Sequence, residues 1–399
     1  MSSARDESPA RDASSGRGGG SAPDDTPARD DSPAPACPAR KRLGKALAWA
    51  AVAAVVLGFG VYEAKPLWQH WWYASNLCGG TLDSADLADV LPDERLEAGP
   101  DRVDLADGGL DCAILTDDDH RALSVEVMSG GGAIGMQLEQ SFTIPHEPRF
   151  VFPDGTPGFN DQFGPVILQE CPKLGRDDLG RKQRLLTRVL GPVTTDDPEP
   201  ALLRIAVSAA NATAEKYGCG ARKLPLPDRV NEPENRPLTQ AARSKECAWL
   251  ADARLPKNPS GGPWEFSERA AGDVPVTSCV LIDPTKGENG REAAEFTGWY
   301  GDWTREPFET LIGANVDTGD ETDDAVMAER LGRATARCDD EDANFLAYGK
   351  PRENDYADLY LTGSQLRPLL AEFAADQKKR HGCAELNLPG PTIHPMRDR

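Results

Sequence analysis

Hydrophobic residues along the chain follow three patterns, and each pattern predicts a different element. Residues 46–62 are apolar without a single charge, which is typical of a membrane-spanning helix. Apolar residues recur at helical spacing after Pro200 and again after Thr362, and each of these segments ends before a Gly-Cys pair. Residues 121–129 alternate between polar and apolar, which predicts a strand. Helices and strands in this order predict an α+β fold with a mostly antiparallel sheet.

The apolar segment is predicted to be an uncleaved transmembrane signal anchor over residues 43–65. A long polar segment precedes it, which disfavours a cleaved signal peptide; a buried core helix is the other alternative. The segment has a basic flank before it and an aromatic flank after it, made of Arg40, Lys41, Arg42 and Lys45, then Trp68, Trp71, Trp72 and Tyr73. Aromatic residues favour the membrane interface, and basic flanks stay in the cytoplasm. The sequence therefore predicts a single-pass protein of the cell membrane with a cytoplasmic N-terminus and extracytoplasmic C-terminal domains.

The tail before the anchor, residues 1–42, is rich in Ser, Pro, Gly and Asp and almost free of large apolar residues. Such a segment buries too little surface to offset the entropy lost on ordering. We expect a disordered cytoplasmic tail.

Eight cysteines after the anchor occur as two sets of four with matching spacing. The first set has gaps of 34, 59 and 48 residues and the second has gaps of 32, 59 and 45. The segments around corresponding cysteines also agree, since "LDCAILTD" matches "TSCVLIDP" and "VILQEC" matches "RATARC". These matches predict two tandem copies of one α/β-sandwich-like domain, over residues 74–227 and 246–399. A proline-containing linker over residues 228–245 joins them.

An even number of cysteines at duplicated spacing, outside the membrane, predicts disulfides. If bonds stay within a copy, three pairings of each set are open. The favoured pairing connects a helix end to a strand end in each case: Cys78–Cys112, Cys171–Cys219, Cys247–Cys279 and Cys338–Cys383. Structural zinc sites use close pairs such as C-x-x-C, which this chain lacks, so we expect no metal.

The net charge of the chain and its short motifs disfavour two classes of function, nucleic-acid binding and dinucleotide binding. A formal net charge of -21 argues against nucleic-acid binding, which needs a basic face. Gly130, Gly132 and Gly135 match G-x-G-x-x-G, but the residues that follow look strand-like and are broken by proline. A glycine-rich hairpin is the favoured interpretation, and no cofactor and no catalytic residue are predicted.

Aromatic residues distinguish the second predicted copy from the first. The first copy, residues 74–227, contains no tryptophan, whereas Trp299, Tyr300 and Trp303 cluster in "TGWYGDW" of the second. Exposed Trp and Tyr mark binding faces for proteins and sugars. These residues therefore form a candidate binding face, while the favoured alternative is that the rings fill the second core or the junction between the copies.

The disordered tail, the basic-flanked anchor, the segment "WYASNLCGGTLDSADLADVLP" (residues 72–92) and Cys112 together resemble membrane-anchored extracytoplasmic proteins of unknown function from actinobacteria. The resemblance covers the anchor and both copies loosely. It implies the cell envelope and supplies no activity.

The sequence thus favours a membrane-anchored extracytoplasmic protein with a binding, sensing or scaffolding role in the cell envelope. Its partner would be an envelope protein or a glycan. The alternative is an envelope enzyme of the hydrolase type, which would show a polar cleft with perturbed ionisable groups. A wall spacer without either feature is the third alternative.

Overall fold

The computed structural model describes residues 39–142, 152, 156–160, 164–191, 200–230, 233–269, 275–287, 290–319, 324–353 and 358–397. Residues 1–38 of the tail that is predicted to be disordered lie outside the described residues. The chain forms two compact units, which divide after Gly60.

The first unit contains most of helix α1 (Ala39–Glu63). Large apolar side chains of this helix are exposed, among them Trp49, Val55, Leu57 and Phe59. Among the residues that the structure describes, no single helix is long and apolar enough to cross a membrane, although Trp49–Gly60 and Lys65–Asn76 meet that requirement as a bent pair.

The second unit begins with helices α2 (Lys65–Asn76) and α3 (Ser84–Val90), followed by a six-stranded sheet. Asp83 caps α3, because its side chain accepts hydrogen bonds from the amides of Ala85 and Asp86. The elements of the sheet are β1 (Leu96–Asp104), β2 (Gly109–Thr116), β3 (Arg121–Ser129), α4 (Gly131–Phe142), β4 (Gly158–Asn160), β5 (Pro165–Glu170), β6 (Arg184–Leu190) and α5 (Pro200–Lys216).

An eight-stranded sheet follows in the same unit. Its elements are β7 (Asn235–Pro237), β8 (Glu265–Glu268), β9 (Val276–Asp283), β10 (Arg291–Tyr300), α6 (Arg305–Asn315), β11 (Val326–Met327), β12 (Leu331–Cys338), β13 (Glu341–Gly349), α7 (Gly363–Arg380) and β14 (Ala384–Asn387). All strand pairs in both sheets are antiparallel. The predicted α+β class with antiparallel sheets is confirmed.

The two sheets share one strand order. The first is β1-β2-β3-β6-β5-β4, and the second contains β8-β9-β10-β13-β12-β11 with β7 added at its edge and β14 paired to β12. In each sheet a helix follows the third strand (α4 or α6) and another follows the sixth (α5 or α7). We call the elements from α2 to α5 the first half and those from β7 to β14 the second half.

Alternation along the strands gives each sheet two apolar faces. In β5, Ile167 packs in the core beneath α5, whereas its neighbours Val166 and Leu168 belong to a separate cluster on the opposite face. In β10, Phe296 packs in the core beneath α7 and Trp299 belongs to that same separate cluster. This junction core also takes the buried faces of α4 and α6, through Ile134, Leu138, Phe308, Leu311 and Ile312. The junction core therefore joins the halves.

Four disulfides connect the predicted pairs, Cys78–Cys112, Cys171–Cys219, Cys247–Cys279 and Cys338–Cys383. In each half one bond holds the segment before β1 or β8 to the second strand of the shared order, β2 or β9. The other bond holds the residue after the last long helix to the end of the fifth strand. In the chain-entropy model, each disulfide that closes a loop of this size stabilises the folded state by roughly 4 kcal/mol.

Several local predictions were wrong. The glycine run that was interpreted as a hairpin opens helix α4, because Ile134 and Leu138 recur at helical spacing and pack in the junction core. The helix predicted after Thr362 begins there, because a capping box at Thr362 fixes its start, but it contains Pro368 in its second turn, where the sequence favoured proline only in a first turn.

Other differences concern the edges of the halves. The segment after Cys383 forms strand β14, whereas residues 219–230, which follow the corresponding helix of the first half, form no strand. Asn235–Pro237, inside the predicted linker, pairs with β8. Tyr73 from the predicted aromatic belt is buried, and its hydroxyl donates to the carbonyl of Leu96 over 2.5 Å.

Candidate functional site

A cleft of about 900 Å³ lies between the two halves. The first half contributes the end of β5, the start of β6, and Ala221, Arg222 and Leu224, which follow the Cys171–Cys219 bond. The second half contributes the end of β10, the turn between β12 and β13, and the end of α7. The volume falls in the range of small-molecule sites, and junctions between folded units are common places for them.

Arg184 and Glu341 form the floor of the cleft and join the halves. The guanidinium of Arg184 donates two hydrogen bonds of 2.7 Å to the two carboxylate oxygens of Glu341, and both residues are buried. Lys182 lies 3.0 Å from the same carboxylate, and Arg184 also contacts Glu170 at 3.0 Å. Burial opposes the charge on Glu341, but the hydrogen bonds and charges of Arg184 and Lys182 outweigh it and hold its pKa below the ordinary value.

Tyr300 and His381 form one wall of the cleft. Their rings are stacked with centroids 4.1 Å apart and planes 30° apart. The Tyr300 hydroxyl donates to Oε1 of Gln377 over 2.7 Å. Burial raises the pKa of Tyr300, so the phenol stays neutral.

The backbone after Tyr300 requires glycine. Gly301 has φ 125°, and a Cβ there would lie 2.4 Å from Nε1 of Trp303. That indole donates to the Tyr300 carbonyl over 3.0 Å, which fixes the turn from β10 toward α6 and places Tyr300 at the cleft.

Glu246 lies behind the Tyr300 wall. Burial, and then the negative charge of Glu268, raise the pKa of Glu246 to about 7. The nearby charges of Arg380 and Lys245, which both line the cleft, act in the opposite direction. Glu246 is therefore a carboxyl whose charge changes near neutral pH beside the cleft.

Basic side chains outnumber acidic ones around the cleft. Five basic residues line it, against three acidic residues, Glu170, Asp339 and Glu341. Lys182 and Arg184 are paired with acids of the floor, and Arg380 is paired with Asp376. Arg222 and Lys245 form no hydrogen bond or ion pair with any described residue. In a chain of net charge -21, these two side chains bring to the cleft positive charge that no described residue pairs.

Helix α5 fixes the backbone of Leu224, two residues after Arg222. The Asn211 side chain donates to the Leu224 carbonyl over 2.9 Å and accepts from the Leu224 amide over 2.8 Å.

Gln169 borders the cleft and a smaller adjoining cavity, and it is 3% exposed. Neither polar atom of its side chain has a hydrogen-bond partner among the described residues. A buried amide of this kind is available to a ligand or to water.

The structure separates the predicted aromatic face. Trp299 and Trp303 lie inside the junction core, where Trp299 contacts Phe159 and Phe308 at centroid distances of 4.9 and 5.7 Å. Only Tyr300 of the three borders the cleft. The glycine motif does open a helix, but β3 pairs antiparallel with its neighbours, so the parallel βαβ unit of a dinucleotide site is not formed there.

Sequence reasoning missed the cleft residues Arg222, Lys245, Glu341 and His381. They are distant in sequence and belong to no motif, so nothing in the sequence brought them together. Among the described residues, no group of three or more His, Cys, Asp or Glu side chains could hold a metal ion.

Comparison with protein-family models, with curated proteins and with solved structures finds no significant match to this chain.

Proposed function

We propose that this chain is a single-pass membrane protein of the cell envelope whose extracytoplasmic part binds an anionic ligand in the cleft between two repeats of one fold. The role is binding, sensing or scaffolding. The ligand chemistry is a phosphate or carboxylate group attached to a ring, as in an acidic envelope glycan.

The shared strand order and the matched disulfides support the repeats. The two halves place corresponding helices after the third and sixth strands, and each of the four bonds has its counterpart in the other half. Two unrelated folds would have no reason to share all these features, so a tandem duplication is the simplest origin.

The exposed apolar side chains of α1 support the anchor. Trp49 is 74% exposed and Val55 is 71% exposed, which is unfavourable in water and favourable in a bilayer. The basic flank from Arg40 to Lys45 orients the N-terminus toward the cytoplasm. Four disulfides agree with an oxidising compartment for the remainder of the chain.

The observation that carries the ligand class is the positive charge of Arg222 and Lys245 in the cleft, which forms no ion pair with a described residue. The paired floor of Arg184 and Glu341 offers a rigid polar base, and the buried Gln169 amide offers further hydrogen bonds. An anion with a ring would meet cations at the rim and the stacked Tyr300 and His381 at the wall.

One observation favours the hydrolase alternative. Glu246 has a pKa raised to about 7, which is the range that a general acid or base needs at neutral pH. It lies behind Tyr300, however, and is not among the residues that line the cleft.

The test is calorimetric titration of the full chain in nanodiscs with para-nitrophenyl phosphate and with para-nitrophenyl glucoside. The two probes share a ring and differ in charge. We expect the phosphate ester to bind and the glucoside to bind far more weakly. Equal binding of both, or binding of neither, would overturn the anion proposal. Release of para-nitrophenolate from the phosphate ester would support the hydrolase instead.

A further inference from the structure

Helix α2 has two faces of opposite character. One face packs against the first half, since Gln69 and Tyr73 are at most 2% exposed. The other face is apolar and open. Leu67 is 88% exposed and Trp71 is 65% exposed, and Trp68 and Trp72 lie beside them at 36% and 37%. We call these four residues the outer face of α2. A monomeric soluble protein rarely exposes so many large apolar side chains on one short helix.

The buried face fixes the direction of the outer face. The Gln69 side chain donates to the Glu94 carbonyl over 2.6 Å and accepts from the Leu96 amide over 3.1 Å. The Tyr73 hydroxyl donates to the Leu96 carbonyl. These bonds connect α2 to the start of β1, so the helix cannot rotate to hide its tryptophans. The outer face is therefore a permanent surface of the first half.

The composition and position of α2 indicate which partner covers this face. The helix contains no acidic residue, and Lys65 and His70 are its basic ones, although the chain as a whole is strongly acidic. It follows the exposed apolar α1 directly in sequence. Tryptophan side chains favour the boundary between lipid headgroups and acyl chains, and a helix with one apolar face can lie in that plane.

We propose that the outer face of α2 lies in the interfacial layer of the membrane that α1 enters, and holds the first half against the bilayer surface. The proposal rests on the membrane anchor proposed above. Because α2 is hydrogen-bonded to β1, this contact would fix the orientation of the first half instead of leaving it on a flexible stalk.

The test uses tryptophan fluorescence of the full chain in nanodiscs that contain lipids with a spin-label quencher, placed either near the headgroup or near the end of the acyl chain. The variant W68F/W71F/W72F keeps aromatic side chains but removes the interfacial indoles. The matched control W249F/W264F removes two indoles that are buried in the second half. A third variant, W49F, reports on α1.

We expect the shallow quencher to lose most of its effect in W68F/W71F/W72F and to keep it in W249F/W264F. Unchanged shallow quenching in the triple variant, while W49F reduces deep quenching, would overturn the α2 contact and leave the anchor standing. Absence of quenching at both depths would overturn the contact and the anchor together. A concentration-dependent dimer in which α2 is shielded from both quenchers would assign the face to a second copy, and would also overturn the proposal.

Discussion

Arg184 and Glu341 are 157 positions apart in sequence and belong to different halves, yet they share two parallel hydrogen bonds of 2.7 Å. Both side chains are almost completely buried, at 6% and 4% exposure. Fork-to-carboxylate pairing of this kind fixes the relative position of the two groups as well as adding energy. The pair therefore sets the register between the halves and the shape of the cleft above it.

Replacing one member of this pair should destabilise the protein strongly. Arg184→Met leaves the Glu341 carboxylate buried with Lys182 as its remaining close cation, and breaking a buried pair costs about 3–5 kcal/mol. Denaturant unfolding measures the loss. The double variant R184M/E341M should recover most of it, because no unpaired charge remains.

The exposed pair Arg305–Glu309 supplies the control for this prediction. Its closest approach is 3.9 Å, and the two side chains are 60% and 54% exposed. Glu309→Ala should change the free energy of unfolding by less than about 0.5 kcal/mol. A similar small effect for R184M would contradict the structural role of the buried pair.

Trp299 should matter for stability more than for binding. It is buried against Phe159 and Phe308, so Trp299→Ala should cost about 3–5 kcal/mol. Trp71→Ala removes the same ring from an exposed position and should cost about 0.5 kcal/mol or less in detergent. Denaturant unfolding compares the two. Equal and small effects would place Trp299 on an exposed face instead of in the junction core.

Glu246 should make stability depend on pH. The unfolded chain ionises this carboxyl at the ordinary glutamate pKa, whereas the folded chain keeps it neutral up to about 7. The stabilisation is therefore fully present below the unfolded pKa and is lost as pH rises through about 7. Glu246→Gln should flatten the melting temperature between pH ~5 and ~8.

Glu329→Gln is the matched control for the pH experiment, because Glu329 is exposed and its loss should leave the profile unchanged. A profile for Glu246→Gln that keeps the slope of the wild type would refute the assignment to Glu246. Ionisation of Glu246 also adds negative charge beside Tyr300, so over the same pH range the affinity for para-nitrophenyl phosphate should fall in the wild type relative to Glu246→Gln.

The stacked ring of His381 should contribute binding energy only for ligands that carry a ring. His381→Ala should weaken para-nitrophenyl phosphate binding about threefold to tenfold, since an aromatic stack is worth ~0.5–1.5 kcal/mol. Binding of inorganic phosphate should not change, because that ion makes no stacking contact. Calorimetric titration separates the two ligands, and an equal loss for both would show that His381 acts otherwise.

The sequence predicted what depends on local pattern or on a repeated pattern. The repeated offsets between the two sets of cysteines left three pairings per set, and joining a helix end to a strand end selected the pairing that the structure contains. Helix α4 was missed because three glycines weaken helix propensity, and its stability comes from packing against α6. A tertiary contact of that kind has no signal in the local sequence.

The cleft could not be predicted for a related reason. Arg222 and Lys245 come from segments on either side of the predicted linker, and His381 comes from the end of α7. From the sequence alone, a charged residue on a loop is indistinguishable from one that is simply solvated. Its role in a cleft follows only from the fold, which places it opposite residues of the other half. Tyr300 was singled out for its neighbours Trp299 and Trp303, which the fold directs into the junction core.

The most direct test of the account is the affinity of the full chain for para-nitrophenyl phosphate in the variant R222A/K245A, with K223A as the control. Lys223 borders the two neighbouring cavities but not the cleft, so K223A removes a similar charge one residue away. A charge-assisted hydrogen bond is worth ~1.5–3 kcal/mol, so the double variant should lose at least about tenfold in affinity while K223A stays near the wild type. Equal affinities for all three proteins, or an equal loss in K223A, would contradict an anion site between the halves.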